Sequence, residues 1–128
     1  MENAMRGMHD LACAMGYEIA LQRVLPGEAL SLPAWEIHGR DIRQTEGGLA
    51  LERGLYLVQL SCEAENAGLV LSLNGTKLRY LETGPTEGEY RLNLQGLLHL
   101  TAPAVLRAEN NGQETARYRR AVMTLLRL

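Results

Sequence analysis

Gly54-Leu55-Tyr56-Leu57-Val58-Gln59-Leu60-Ser61-Cys62-Glu63-Ala64 is the stretch whose reading decides the fold. Tyr56, Val58, Leu60, Cys62 and Ala64 fall on one side of an extended chain, with Gln59, Ser61 and Glu63 on the other, which is the period-2 pattern of a half-buried strand. An apolar face of that kind has to be covered by a second layer. Glu52-Arg53-Gly54 predicts a turn into the strand, and Glu65-Asn66-Ala67-Gly68 predicts a turn out of it.

The chain around this strand has 128 residues, enough for one domain that buries roughly two-thirds of its unfolded surface. It is 46% hydrophobic but holds no Phe and one Trp, so Leu must supply most of the core volume. Thirteen basic residues against fifteen acidic ones leave a net charge of -2, which offers no field to attract nucleic acid or an anionic membrane. Neither is an expected partner. Cys13 and Cys62 are too few and too far apart for a disulfide framework or a zinc site, so both are expected as free thiols, Cys62 in the core and Cys13 outside the sandwich. No apolar run reaches the length of a membrane-spanning helix, and Met1 to Arg6 lack the basic-then-apolar order of a secretory signal. The compartment is left open between the cytoplasm and a surface reached without a signal.

Two parts are expected, a leader over residues 1–16 and one β domain over 17–128. In the leader, Met1, Met5, Met8, Ala12 and Met15 recur three or four apart, the spacing of a short helix or a partly ordered segment. Alternation begins at Tyr17. A first strand through Val24, a Leu25-Pro26-Gly27 turn and a short apolar piece ended by Pro33 come next. Edge-like strands follow at Trp35–His38, Asp41–Thr45 and Leu49–Leu51. Beyond the central strand, Leu69–Leu73 and Lys77–Leu81 flank Asn74-Gly75, the strongest hairpin signal in the chain, because both residues of a type I′ turn need positive φ. Thr83 to Gly88 reads as a loop, Glu89–Gln95 as a strand, Gly96 as a break and Leu97–Thr101 as another strand. Val105–Glu109, an Asn110-Asn111-Gly112 turn and a last strand over Ala116–Leu128 complete the pattern. Turns every eight to twelve residues and no helix after residue 16 predict an all-β antiparallel sandwich or jelly roll.

The final segment departs from a generic sandwich, because Ala121-Val122-Met123-Thr124-Leu125-Leu126-Arg127-Leu128 is apolar on both faces. A two-layer sandwich needs only one. Either Met123 and Leu125 are left outside, or Ala121, Met123 and Leu125 face the core and leave Val122, Leu126 and Leu128 for a second copy of the chain; the second assignment is taken as the expectation. A homo-oligomer is therefore expected, with those three residues at its interface.

Four strings carry a resemblance: Gly54-Leu55-Tyr56-Leu57-Val58, Leu71-Ser72-Leu73-Asn74-Gly75-Thr76, Val105-Leu106-Arg107-Ala108-Glu109-Asn110 and Met123-Thr124-Leu125-Leu126-Arg127-Leu128. Over residues 17–128 the chain resembles the C-terminal domain of collagen-like exosporium glycoproteins of spore-forming bacteria. That family has the jelly roll of tumour necrosis factor and the complement globular heads. The resemblance implies a compact trimer in a surface or spore-associated assembly. The chain differs in having a Met-rich leader where such proteins often carry a Gly-X-Y stretch. Charged residues (Glu63, Glu65, Arg117, Arg119, Arg120) also replace the family's small ones.

No enzyme is expected. His9, His38 and His99 are scattered without carboxylates at metal-ligand spacing, and no Gly-x-Ser-x-Gly elbow presents Ser31, Ser61 or Ser72 as a nucleophile. Neither a cofactor nor a metal is expected. Arg117, Arg119 and Arg120 form the densest basic cluster and, joined by Lys77, Arg79 and Arg91, are candidates for contact with an anion. The plainer reading is a solvated strand face paired with Glu109 and Glu114. Asn74-Gly75-Thr76 matches a glycosylation acceptor, but the hairpin explains the same letters. Trp35 is the candidate floor of a carbohydrate groove or, more simply, a core or interface anchor. Two functions follow: a structural trimeric module, or a module that binds a carbohydrate or small ligand at a subunit cleft.

Overall fold

The computed structural model describes residues 12–128, and every regular element among them is a strand. In order they are β1 Cys13–Glu18, β2 Gln22–Val24, β3 Ala34–His38, β4 Ile42–Thr45, β5 Gly48–Leu51, β6 Gly54–Leu73, β7 Thr76–Leu100, β8 Ala104–Asn110 and β9 Ala116–Arg127. β6 has 20 residues and β7 has 25. At about 3.3 Å per residue straight strands of those lengths would run roughly 65 and roughly 80 Å, several times the height of a sandwich layer. Both strands therefore serve two layers in turn.

The pairing shows how. The first half of β6, Tyr56 to Glu65, lies beside β9, and its second half, Leu69 to Leu73, lies beside β8. β7 follows β6 on the other side along its whole length, with register shifts between Glu65 and Ala67, Ala67 and Leu69, and Val70 and Leu71. One layer is thus β3-β1-β9-β6-β7, extended by β2 along β9, and the other is β4-β5-β8-β6-β7. The result is the expected antiparallel jelly-roll sandwich.

At the crossing, the segment Glu65-Asn66-Ala67-Gly68 does not turn out of the strand as its letters predict. Asn66 takes a left-handed φ of 51° and bends the ribbon, while pairing to β7 resumes on both sides. Thr83 to Gly88, expected as a loop, is the matching crossing in β7. The carbonyls released there are satisfied by tyrosines: Tyr90 Oη–H donates to Ala67 O, and Tyr118 Oη–H donates to Gly68 O. Burial raises the pKa of both phenols.

Between the layers, Tyr56, Val58, Leu60, Cys62 and Ala64 are all buried, as their alternation requires. Leu92, Leu94, Leu98 and Leu100 of β7 point the same way, and Leu49, Leu51, Leu71, Leu81 and Leu106 meet them from the second layer. Gly96 is no break. It occupies the inward position between Leu94 and Leu98, where a Cβ would stand 2.5 Å from Leu81 Cδ2, so its bareness lets the second layer close against the first. The Asn74-Gly75 hairpin forms as read, with φ of 50° and 84° between paired Leu73 and Thr76.

The leader reading changes at its end. Residues 13–16 belong to β1, which is paired to β3 on one edge and β9 on the other, so two ladders hold extended a stretch whose spacing also suits a helix. Cys13 accordingly lies in the sheet rather than outside the sandwich. Residues 1–11 of the expected leader lie outside the described residues. The first alternating run also divides, with β1 ending at Glu18 and β2 starting at Gln22.

Candidate functional site

The outward face of the first layer is built in rows that the register defines. At one end, Leu126 of β9 stands between Cys13 and Leu57, and Leu57 pairs with Leu97. In the next row Thr124 stands between Met15 and Gln59, whose amide donates to Gln95 Oε1 at 3.1 Å. The third row sets Tyr17, Val122, Ser61 and Asn93 side by side. A bulge between Ser61 and Glu63 follows, and there the face becomes ionic.

The face is therefore graded from apolar through amide and hydroxyl to charged. Val122, Leu126, Met15, Tyr17 and Leu97 are between 37% and 49% exposed, and Leu128 is 62% exposed at the end of the chain. Ala121, Met123 and Leu125 point into the core, which decides between the two assignments that the sequence allows for the faces of β9. Leu57, Leu97, Met15 and Tyr17 escaped the sequence reading. The signal was present in Leu55 and Leu57, two apolar residues on the otherwise polar side of the central strand.

Arg117, Arg119 and Arg120 lie at the ionic end, where Arg117 and Arg119 line a depression of about 460 Å³ together with Arg91. Their partners are not Glu109 and Glu114. Arg119 Nε bonds Glu63 at 2.8 Å, Arg120 reaches the same carboxylate at 3.3 Å, and Arg117 stands 3.8 Å from Glu65. The reason is register: Glu63 and Glu65 of β6 lie directly across from Arg119 and Arg117, whereas Glu109 sits in the second layer and accepts from Ser72 Oγ at 2.6 Å. Lys77 and Arg79 lie at the hairpin end of β7, away from this cluster, and Arg79 is paired with Glu82 at 2.8 Å.

Trp35 is elsewhere again. It stands opposite Gly16 on the inward side, and a Cβ at Gly16 would be 2.4 Å from its ring, so only glycine fits beneath the indole. Its ring borders a cavity of about 290 Å³ between the layers. The structure thus does not bring Trp35 and the arginines into one site. On the edge of the graded face, His38 lies 3.6 Å from Glu36, and among the described residues no three His, Cys, Asp or Glu are grouped to hold a metal ion.

No family model matches the chain, and no curated protein matches it in sequence. Solved structures do. The globular domain of zebrafish complement 1qA protein superposes with a TM-score of 0.65 at 12% identity, over 89% of this chain and 94% of that one. Murine APRIL gives a TM-score of 0.69 at 12% identity, over 92% and 99% of the two chains. Rabbit GITRL gives 0.60 at 14% identity, over 91% and 94%. At such identities the likeness is one of architecture: this chain folds as a jelly roll of the tumour necrosis factor and C1q type.

Proposed function

We propose that the chain is a non-enzymatic structural or interaction module that assembles as a homotrimer through the outward face of its first layer. The observation that carries this reading is the apolar end of that face, where Leu57, Leu97 and Leu126 adjoin with Leu128 nearby, open to solvent in a single chain. Soluble monomers avoid contiguous apolar patches of this kind. A second copy applied to the same face buries it, and the number three comes from the sequence resemblance. The same resemblance suggests a surface or spore-associated assembly as the setting. Glu63, Glu65 and their arginines then lie at a wetter margin, where ion pairs orient the contact more than they strengthen it.

Obligate interfaces bury over about 2,000 Å² and are dry at the centre, so a carboxylate placed there is stranded. Gel filtration with light scattering tests the proposal. Wild type is expected at three times the chain mass of 14.2 kDa. Val122→Asp should dissociate or unfold it, and Arg119→Ala should leave the mass unchanged. A wild-type mass of one chain refutes the trimer.

A second reading, a small-ligand module, is favoured by the cavity beside Trp35. That cavity lies within one chain rather than at a cleft between subunits.

A further inference from the structure

The cavity at Trp35 is a cleft that opens to solvent beside the turn between β4 and β5, where the exposed Glu46 and Gly47 form part of its rim. Leu30, Leu32, Leu49 and Met123 give it an apolar wall, with Trp35 itself on the side of β3. Its volume of about 290 Å³ corresponds to roughly ten water molecules, at about 30 Å³ each, against walls that are mostly apolar. The size is close to the lower end of small-molecule sites, roughly 300 Å³.

One cation stands at the rim, on the outward side of β8 across from Ser72. Arg107 of β8 lines the cavity, and its side chain is 39% exposed. It is incompletely paired: Nη1 is 4.0 Å from Glu109 Oε2, beyond hydrogen-bond distance, and Nε has no partner among the described residues. Glu109 is already engaged, because its carboxylate accepts from Ser72 Oγ. Glu46, which does line the cavity, is exposed in the turn between β4 and β5. Thr45 adds a hydroxyl that also lacks a partner among the described residues. An apolar pocket edged by an uncommitted guanidinium matches a ligand with an apolar body and one carboxylate, since guanidinium and carboxylate form the strongest neutralising hydrogen-bonded pair available to side chains.

We infer that the cavity between the layers is a binding site for a small amphipathic carboxylate, with its chain against Trp35, Leu32 and Met123 and its head on Arg107. This goes beyond the trimer proposal and does not depend on it, because each chain carries the whole site.

Trp35 is the protein's one tryptophan, so it reports on its own pocket. Octanoate titrated into the full-length protein should produce a saturable shift of Trp35 emission to shorter wavelength, with one site per chain by calorimetry. Octanol, which has the same chain without the charge, should bind roughly tenfold more weakly, the loss of one charge-assisted hydrogen bond. Arg107→Gln should reduce octanoate affinity to that of octanol and leave octanol affinity unchanged, the latter also showing that the variant is folded. No saturable response to octanoate in wild type overturns the inference. Equal affinity of wild type for octanoate and octanol overturns it as well, and that comparison needs no variant.

Discussion

The two layers share a core but end in very different outward faces. On the second layer, Val70, Ser72 and Glu109 point away from the core and yet are buried, and apart from Arg107 polar groups there pair with one another: Ser72 Oγ donates to Glu109, and Arg79 bonds Glu82. On the first layer the outward groups near β9 are large, apolar and open. A face whose polar atoms are satisfied within the chain can remain in water, whereas a face of Leu, Met and Tyr gains by covering itself. The sandwich thus has one finished side and one unfinished side, and the unfinished one contains β9, the strand that is apolar on both faces.

The most severe break in this comparison is to exchange the chemistry of the faces one residue at a time. Leu126→Asp on the first layer should lower the mass seen by light scattering or unfold the protein, while Lys77→Asp on the second should leave mass and fold as they are. If both variants keep the wild-type mass, the faces do not differ in the way described. A smaller effect isolates the second layer. Ser72→Ala strands the buried Glu109 carboxylate and should cost about 1–3 kcal/mol in urea unfolding, with no change in subunit number. A loss well under that range would show Glu109 rehydrated, and the second face less finished than it looks.

An effect confined to alkaline pH belongs to the core that both faces share. Burial, helped by the nearby Glu63 carboxylate, pushes the Cys62 thiol from its ordinary 9.0 up to about 12. A raised pKa means that the folded chain keeps a proton the unfolded chain has lost, so stability is complete below pH 9 and falls as pH rises towards 12. Tyr56, Tyr90 and Tyr118, whose pKa values are raised by burial, act in the same direction. Urea midpoints of wild type and Cys62→Ala should therefore converge across that window. Parallel curves would remove Cys62 as a cause.

Where strand alternation decided the matter, the sequence was readable. Tyr56 to Ala64 named the core side of β6, and the two apolar faces of Ala121 to Leu128 were legible, although which of them turns outward was not. Asn74-Gly75 was readable because its backbone demand is local. The crossings were not, since Asn66 and Gly68 carry the letters of a turn whether the chain reverses or merely changes layer. What separates the two outcomes is Tyr90 and Tyr118, far along the chain, offering hydroxyls to the freed carbonyls. Cys13 to Gly16 failed for a related reason: a short run of Met and Ala has no strong preference, and the two neighbouring strands choose for it. The arginines were found, but their partners depended on inter-strand register, which composition does not contain. The cavity was invisible because it is a shortage of volume between residues distant in sequence.

The ribbon of β6 and β7 has a consequence for the order in which the molecule forms. Its strands are consecutive and joined by a two-residue turn, so pairing can spread from Asn74-Gly75 at little loop-closure cost and carry the chain through both layers as it goes. β1 must instead find β9 across almost the whole described chain, the kind of distant contact that slows folding. Pulse-labelled hydrogen exchange should show the β6–β7 amides protected before those of β1, and simultaneous protection would contradict this order. In the proposed trimer, the surface offered to another subunit would then be the last to be completed, and chains would recognise one another only once each is nearly folded.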